Sequence, residues 1–235
     1  MKILGIDTST RISSLAIIEN EEIVAELNIN SNYKKTSSIL VLAIQDLLKR
    51  VDWKLIELDG LAVSLGPGSF TGLRVGLGVV KGLSYATSLP VVGVNSLDVL
   101  AYSWKETPFL ICPFLECKKG EIFYGVFKYL HGLEKIIDYK CESLDRLLMR
   151  ISVLKEKTII IGEGLRNYRP QIERELLQKV ILIEASPYFP GGANVARLGL
   201  ERLKKGEKDD IFTLIPFYLR KSQAEVIWEK RERNF

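Results

Sequence analysis

Histidine is the scarcest informative residue here: His131 is the single one among 235. Most metal sites and many acid-base or nucleophilic mechanisms rest on imidazole, so one histidine leaves few routes to a zinc enzyme or a triad hydrolase. Cysteine is nearly as sparse. Cys112, Cys117 and Cys141 are odd in number and match no CxxC spacing, so neither a disulfide framework nor a zinc ribbon follows from them, and a reducing cytosol suits them best. Long apolar runs are lacking too. Ile3-Leu4-Gly5-Ile6 meets a carboxylate at Asp7, too early for a signal peptide. Thr71 to Leu89, the most membrane-like stretch, carries Arg74 and Lys81 and is crowded with glycine, which argues against a bilayer span. What remains is an ordinary globular composition, 47% apolar and 26% charged, with length for one large domain or two small ones. The net charge of +4 is uneven: the first hundred residues sum to −1 and the rest to +5. Such a split suggests two units with different surfaces, but the surplus is too small to argue nucleic-acid binding alone.

Periodicity predicts strands at Lys2 to Asp7, Ser13 to Ile18 and Ile23 to Ile29, the first two joined by the polar tip Asp7-Thr8-Ser9-Thr10-Arg11. A helix follows from Thr36 to Arg50, with Ile39, Leu40, Ala43, Ile44, Leu47 and Leu48 at helical spacing. Next come a strand at Leu58 to Leu65, a helix at Thr71 to Thr87, a strand at Val91 to Val94 and a short helix at Ser96 to Trp104. After Pro108 the pattern restarts. Strands are expected at Phe109 to Leu115, Glu121 to Tyr129, Leu133 to Tyr139, Thr158 to Ile161 and Val180 to Ile183. Helices are expected at Ser143 to Ile151, Leu165 to Leu177 and Ala193 to Lys204. The order reads as a degenerate duplication of one βββαβαβ unit, hence an α/β fold of two tandem halves facing across a cleft. The boundary falls between residues 1–104 and 105–235, with the C-terminal tail free to pack back on the first half.

The string Leu65-Gly66-Pro67-Gly68-Ser69-Phe70-Thr71-Gly72-Leu73-Arg74-Val75-Gly76 stands between a strand and a helix. Glycine-rich turns at helix N-termini free backbone N–H groups and can cradle phosphate. A P-loop is excluded because no lysine stands in place, and a Rossmann fingerprint fails because Thr71 occupies its third glycine position. A tight strand-to-helix connection explains the residues without any ligand. The helix beyond holds Gly72, Gly76, Gly78 and Gly82, each costing roughly 1 kcal/mol against alanine. The pairs Gly72/Gly76 and Gly78/Gly82 are four apart, so they leave two bare patches for close backbone approach. The approaching element is either the protein's own core or a helix of a second chain.

Gly5-Ile6-Asp7-Thr8-Ser9-Thr10, the Gly66 to Leu77 string, Lys81-Gly82-Leu83 and Val92-Gly93-Val94-Asn95-Ser96-Leu97 together resemble the TsaB (YeaZ) family. So do Glu116-Cys117-Lys118-Lys119-Gly120-Glu121-Ile122-Phe123-Tyr124 and Pro216-Phe217-Tyr218-Leu219-Arg220 with Ala224-Glu225. Glu116 and Cys117 depart from the family's Asp-Ala. The resemblance implies two ribonuclease-H-like halves of the actin-like ATPase superfamily. It also implies a non-catalytic scaffold in N6-threonylcarbamoyladenosine synthesis on tRNA, paired with the catalytic subunit TsaD and the ATPase TsaE and localised to the cytoplasm. TsaD holds its metal through two histidines four apart on a helix, which this chain lacks, so no metal or catalytic residue is expected. In the superfamily the first hairpin faces nucleotide. Asp7, Thr8, Ser9, Thr10, Gly66, Gly68 and Ser69 are therefore the candidate nucleotide-binding residues, with no cofactor required and ATP or ADP allowed at the interface between subunits. The family's joining bundle uses the first-half helices. This makes Ile39, Leu40, Ala43, Leu47, Gly72, Arg74, Val75, Gly76, Val79 and Gly82 the expected partner face, for TsaD or for a homodimer. tRNA is expected through the complex, with Lys118 and Lys119 as candidate contacts. Two other classes fit the residues: a free-standing ATPase or phosphotransferase using Asp7 and the Gly66 to Gly72 loop, and a self-associating structural protein.

Overall fold

The structure, a computed structural model, describes residues 1–30, 36–118, 120–183 and 189–220. Lys34 and Lys35 before the first helix, Lys119 and the Ala224-Glu225 pair lie outside the described residues. In the first half β1 (Lys2–Asp7), β2 (Ile12–Glu19) and β3 (Glu22–Asn30) are followed by α1 (Thr36–Arg50), β4 (Gly60–Gly66), α2 (Phe70–Thr87), β5 (Val91–Asn95) and α3 (Ser96–Tyr102). In the second, β6 (Leu110–Lys118), β7 (Glu121–Tyr129) and β8 (Leu133–Ser143) are followed by α4 (Leu144–Ser152), β9 (Thr158–Ile161), α5 (Leu165–Leu176), β10 (Val180–Ile183) and α6 (Gly192–Lys204).

The two sheets have the same topology, β3-β2-β1-β4-β5 and β8-β7-β6-β9-β10. In each, the first three strands are antiparallel and the last two parallel to the first. The duplication expected from element order is thus a duplication of topology. Two strands outrun their sequence estimates, β6 reaching Lys118 and β8 reaching Ser143. Both extensions are polar, and a ladder already paired on one side carries its polar ends along.

Central strands β1 and β4 are buried on both faces and read as apolar runs, whereas edge strand β3 alternates. One face of the first sheet, with Leu4, Ile6, Leu15, Ile17, Leu61 and Val63, packs on Leu40, Ile44 and Leu47 of α1 and Leu77 and Val80 of α2. In the second half the same layer is made by α4 and α5, through Leu147, Leu148, Ile151, Leu165 and Ile172.

The opposite faces are covered by exchange. Val195, Ala196 and Leu200 of α6, from the second half, pack on Ile3, Ile18, Ala62 and Val92 of the first sheet. Leu97, Leu100 and Ala101 of α3, from the first half, pack on Ile111, Phe123, Phe127 and Ile159 of the second. The α6 backbone lies unusually near its sheet. A Cβ on Gly5 would lie 2.5 Å from the Ala196 nitrogen, and one on Gly192 2.7 Å from the Ala16 nitrogen. The Gly192 N–H donates to Ser14 Oγ at 2.8 Å, fixing the register of helix on strand.

Residues 205–220 then return over the first half. The Asp209 N–H donates to the Val91 carbonyl at 2.8 Å, and its carboxylate takes Gly93 N–H and Arg202, which blunts the open edge of β5. Among the described residues no helix is long and apolar enough to cross a membrane.

Close seating of α6 predicts opposite signs for two glycine substitutions. Gly5→Ala should lower the unfolding free energy by about 1–3 kcal/mol through overpacking. Gly78→Ala, whose added Cβ meets nothing within 4 Å, should raise it by roughly 0.5–1 kcal/mol. Urea denaturation midpoints compare them directly.

Candidate functional site

Asp7, Thr8 and Ser9 end β1 and begin the hairpin to β2, and all three are buried. Asp7 Oδ1 accepts the Ser9 N–H at 2.9 Å, and the Ser9 hydroxyl lies 3.0 Å from both carboxylate oxygens. Ser64 on β4 faces the same carboxyl, although its oxygen makes no regular hydrogen bond. Burial pushes the Asp7 carboxyl from its ordinary 3.8 up to about 6, and the serine hydroxyls and the Ser9 N–H hold it back only in part. Thr10 closes the turn, its Oγ1 donating to the Ile12 carbonyl at 3.1 Å. At the tip Arg11 pairs with Glu163, which stands between Gly162 and Gly164 before α5, so the hairpin is tied to the second half.

The glycine loop closes on this hairpin. Ser69 N–H donates to the Ser9 carbonyl at 2.6 Å, and Thr8 Oγ1 donates to the Gly72 carbonyl at 2.8 Å. A Cβ on Gly68 would overlap the Ser9 backbone, one on Gly72 the Thr8 carbonyl, and one on Gly76 the Thr8 hydroxyl. Gly66 has φ +110°, a conformation side chains rarely adopt, and its bond to Pro67 is cis. Two of the donors in the first turn of α2 are used internally. Ser69 Oγ caps the Gly72 N–H at 3.2 Å, and the Ser69 carbonyl takes the Leu73 N–H.

The structure therefore brings Asp7, Thr8, Ser9, Gly66, Gly68 and Ser69 together, with Thr10 at the rim. In this arrangement they do not fit a phosphate or a magnesium ion. The carboxyl is sealed from solvent, and the space that a glycine cradle would leave for phosphate is filled by Thr8 and Ser9.

The expected partner face divides in two. Leu40, Ala43 and Leu47 are core residues, 1%, 7% and 1% exposed, because the helical repeat that singles them out is the stripe α1 buries on its own sheet. Ile39 is half-buried, and Val75 and Val79 lean on the same core. Gly72 and Gly76 seat Thr8, which resolves that pair as an intramolecular contact. Gly82, with Gly78, faces open space. The outward surface is instead Val41 and Leu42 on α1, 47% and 64% exposed, with Gly78, Gly82 and Tyr85 on α2 and Phe212, which meets Tyr85 edge-on.

Arg74 reaches a partner that periodicity does not reveal: its Nε donates to Tyr218 Oη at 3.0 Å while its guanidinium covers the Phe70 ring. Tyr218 stacks on Phe70, Phe217 N–H donates to the Leu65 carbonyl, and the Phe217 ring packs against Tyr139 of β8. Pro216 to Arg220 thus straps the glycine loop to the second sheet. The aromatic and basic spacing of that motif was the available signal. His131 lies exposed in the turn between β7 and β8.

Solved structures share this architecture. A Pseudomonas aeruginosa protein described as uncharacterized, with similarity to the peptidase YEAZ, superposes with a TM-score of 0.80 at 23% identity, covering 93% of this chain and 99% of that one. The ROK hexokinase of Thermus thermophilus follows at 0.51 and 11%, covering 87% and 100%. The chain thus has the α/β fold of these structures, two like halves that exchange their third helices. At the level of sequence, a family model described as TsaD, tRNA N6-adenosine threonylcarbamoyltransferase, matches residues 30–228. The tRNA threonylcarbamoyladenosine biosynthesis protein TsaB of Bacillus subtilis is 30% identical over 99% of this chain and 100% of its own length. The chain belongs to the TsaB (YeaZ) family, whose members serve in threonylcarbamoyladenosine synthesis on tRNA.

The raised Asp7 carboxyl has a definite sign. Folding favours its protonated form, so the stabilising contribution is complete below the unfolded value near 3.8 and is lost as pH rises through about 6. Asp98, also raised to about 6 by burial, acts in the same window. Asp7→Asn should flatten, without abolishing, the decline in stability between about pH 4 and 6. At pH 8 it should stabilise the fold by roughly 3 kcal/mol. Thermal melts of both proteins across pH 4–8 measure this.

Proposed function

We propose that this chain is a non-catalytic, cytoplasmic subunit of the threonylcarbamoyladenosine-forming assembly, presenting the outer face of α1 and α2 to a TsaD-type catalytic subunit. Through that pair it works with a TsaE-type ATPase on tRNA. The observation that carries the reading is the contrast between a sealed hairpin and an uncovered helical face. Asp7 is fully buried, while Leu42 on α1 is 64% exposed and Tyr85, one turn beyond the bare Gly82 on α2, is 76% exposed. Exposed large apolar side chains around small ones suit close helix packing by a partner. The same face can pair two copies when the catalytic subunit is missing.

No cofactor is required by this chain in the proposal, and ATP or ADP belongs at the junction with the partner. A peptidase role, named for the Pseudomonas relative, gains no support from the residues. The lone His131 sits in an exposed turn, and no serine, histidine and aspartate constellation stands out among the described residues. Lys118 and Lys119 remain candidate tRNA contacts by charge alone.

Two experiments separate scaffold from enzyme. Gly82→Leu adds bulk where nothing is packed, so the protein should keep its circular dichroism spectrum and lose co-elution with the TsaD-type subunit at least tenfold. Undiminished co-elution would reject the interface. In a reconstitution with the TsaD-type and TsaE-type proteins, modified tRNA should fall to background when this chain is omitted. The chain alone should turn over no ATP, and turnover that Asp7→Asn abolishes would favour the phosphotransferase reading.

A further inference from the structure

The second half's counterpart of the Asp7 hairpin, the turn from β6 to β7, carries a side-chain cluster separate from the hairpin and from the outer face of α1 and α2. Cys117 lies at an irregularity in the β6–β7 ladder, between Glu116 and Lys118, and Cys141 lies on edge strand β8 opposite Phe123. The two sulfurs approach to 3.4 Å although β7 runs between their strands. Both side chains are partly exposed, unlike the buried Cys112. Glu121 Oε2 is 3.9 Å from Cys141 Sγ, and Arg220, the end of the C-terminal strap, donates to Cys117 Sγ at 3.7 Å with its Nε 3.9 Å from the Glu121 carboxylate.

We infer that Cys117 and Cys141 form a reversible thiol-disulfide site, in which Cys117 is the peroxide-reactive thiolate and Cys141 the resolving thiol. The arrangement assigns the roles unequally. Cys117 receives both the Cys141 thiol and the Arg220 guanidinium, and these draw its ionisation down to about 7. Cys141 donates its proton and faces a carboxylate, which pushes its own ionisation upward. A thiolate that is partly exposed and paired with arginine is the reactive form of cysteine.

In the first step the Cys117 thiolate attacks hydrogen peroxide, forming S–O, breaking O–O and releasing hydroxide. In the second, the Cys141 sulfur attacks the Cys117 sulfenic acid, forming S–S and expelling water as its thiol proton neutralises the leaving hydroxide. Two thiols are oxidised and one peroxide is reduced to water. The shift needed to bond the sulfurs falls on a ladder irregularity and an edge strand, where the backbone is least constrained. A metal is the competing occupant, since Cys117, Glu121 and Cys141 offer three ligand atoms within 4.8 Å of one another. Arg220 already places a cation against two of the three, which favours thiolate chemistry over a metal ion.

The test treats the folded full-length protein with hydrogen peroxide and reads intact mass and a non-reducing peptide map. The expected result is loss of two hydrogens, a Cys117–Cys141 cross-linked peptide, a free Cys112, and full reversal by dithiothreitol. Cys141→Ser should leave a dimedone-reactive sulfenic acid on Cys117, and Arg220→Gln should slow oxidation severalfold at pH 7. The inference is overturned if Cys117 proceeds to sulfinic acid beside a reduced Cys141, or if Cys141 reacts equally fast in Cys117→Ser. Tightly held zinc that blocks oxidation of the purified protein would overturn it as well.

Discussion

The close seating of the Asp7 to Thr10 hairpin against the start of α2 is the constraint on which the rest of the first half depends. Thr8 and Ser9 present backbone carbonyls and a hydroxyl to a helix that can receive them only because Gly68, Gly72 and Gly76 have no side chains there. That contact fixes how far α2 lies from β1 and β4. It therefore fixes which surface α2 and its neighbour α1 turn outward. It also seals Asp7 away from water, and that burial pushes the ionisation of its carboxyl upward. The same glycines that a nucleotide-binding protein would leave open are spent on internal packing, which converts a phosphate cradle into a structural joint.

Much of this was legible in the sequence. Alternation and helical spacing locate the strands and helices to within a few residues, and the repeated order of elements announces two like sheets. The residues Leu40, Ala43 and Leu47 show where such reading stops. Helical periodicity reports an apolar stripe, and a stripe is most often the side a helix buries in its own core; the outward residues of α1, Val41 and Leu42, carry no period of their own. The four glycines of α2 pose the same difficulty. Spacing of four groups Gly72 with Gly76 and Gly78 with Gly82, but only the three-dimensional path of the hairpin shows that the first pair is filled by Thr8 and the second is empty.

Other features escaped because they join residues far apart in the chain. Arg74 meets Tyr218, Arg11 meets Glu163, and Arg220 reaches Cys117 across a hundred residues. No local pattern encodes such pairs. The departures at Glu116 and Cys117 were visible as departures, yet their meaning required seeing Cys141 arrive from β8 and Arg220 from the C-terminal strap. Asp7 was recognisable as the hairpin carboxylate, whereas its burial depends on how the glycine loop folds over it.

The exchange of α3 and α6 also bears on how the chain is made. Strands β1 to β5 leave the ribosome early with one apolar face covered by α1 and α2, but the layer for their other face is α6, which begins at Gly192. At about 5–20 residues per second, the stretch from the end of the first half to α6 takes roughly 5–20 s to synthesise. During that interval Ile3, Ile18, Ala62 and Val92 await a helix that does not yet exist, so one apolar face of the nascent first half stays uncovered until α6 emerges.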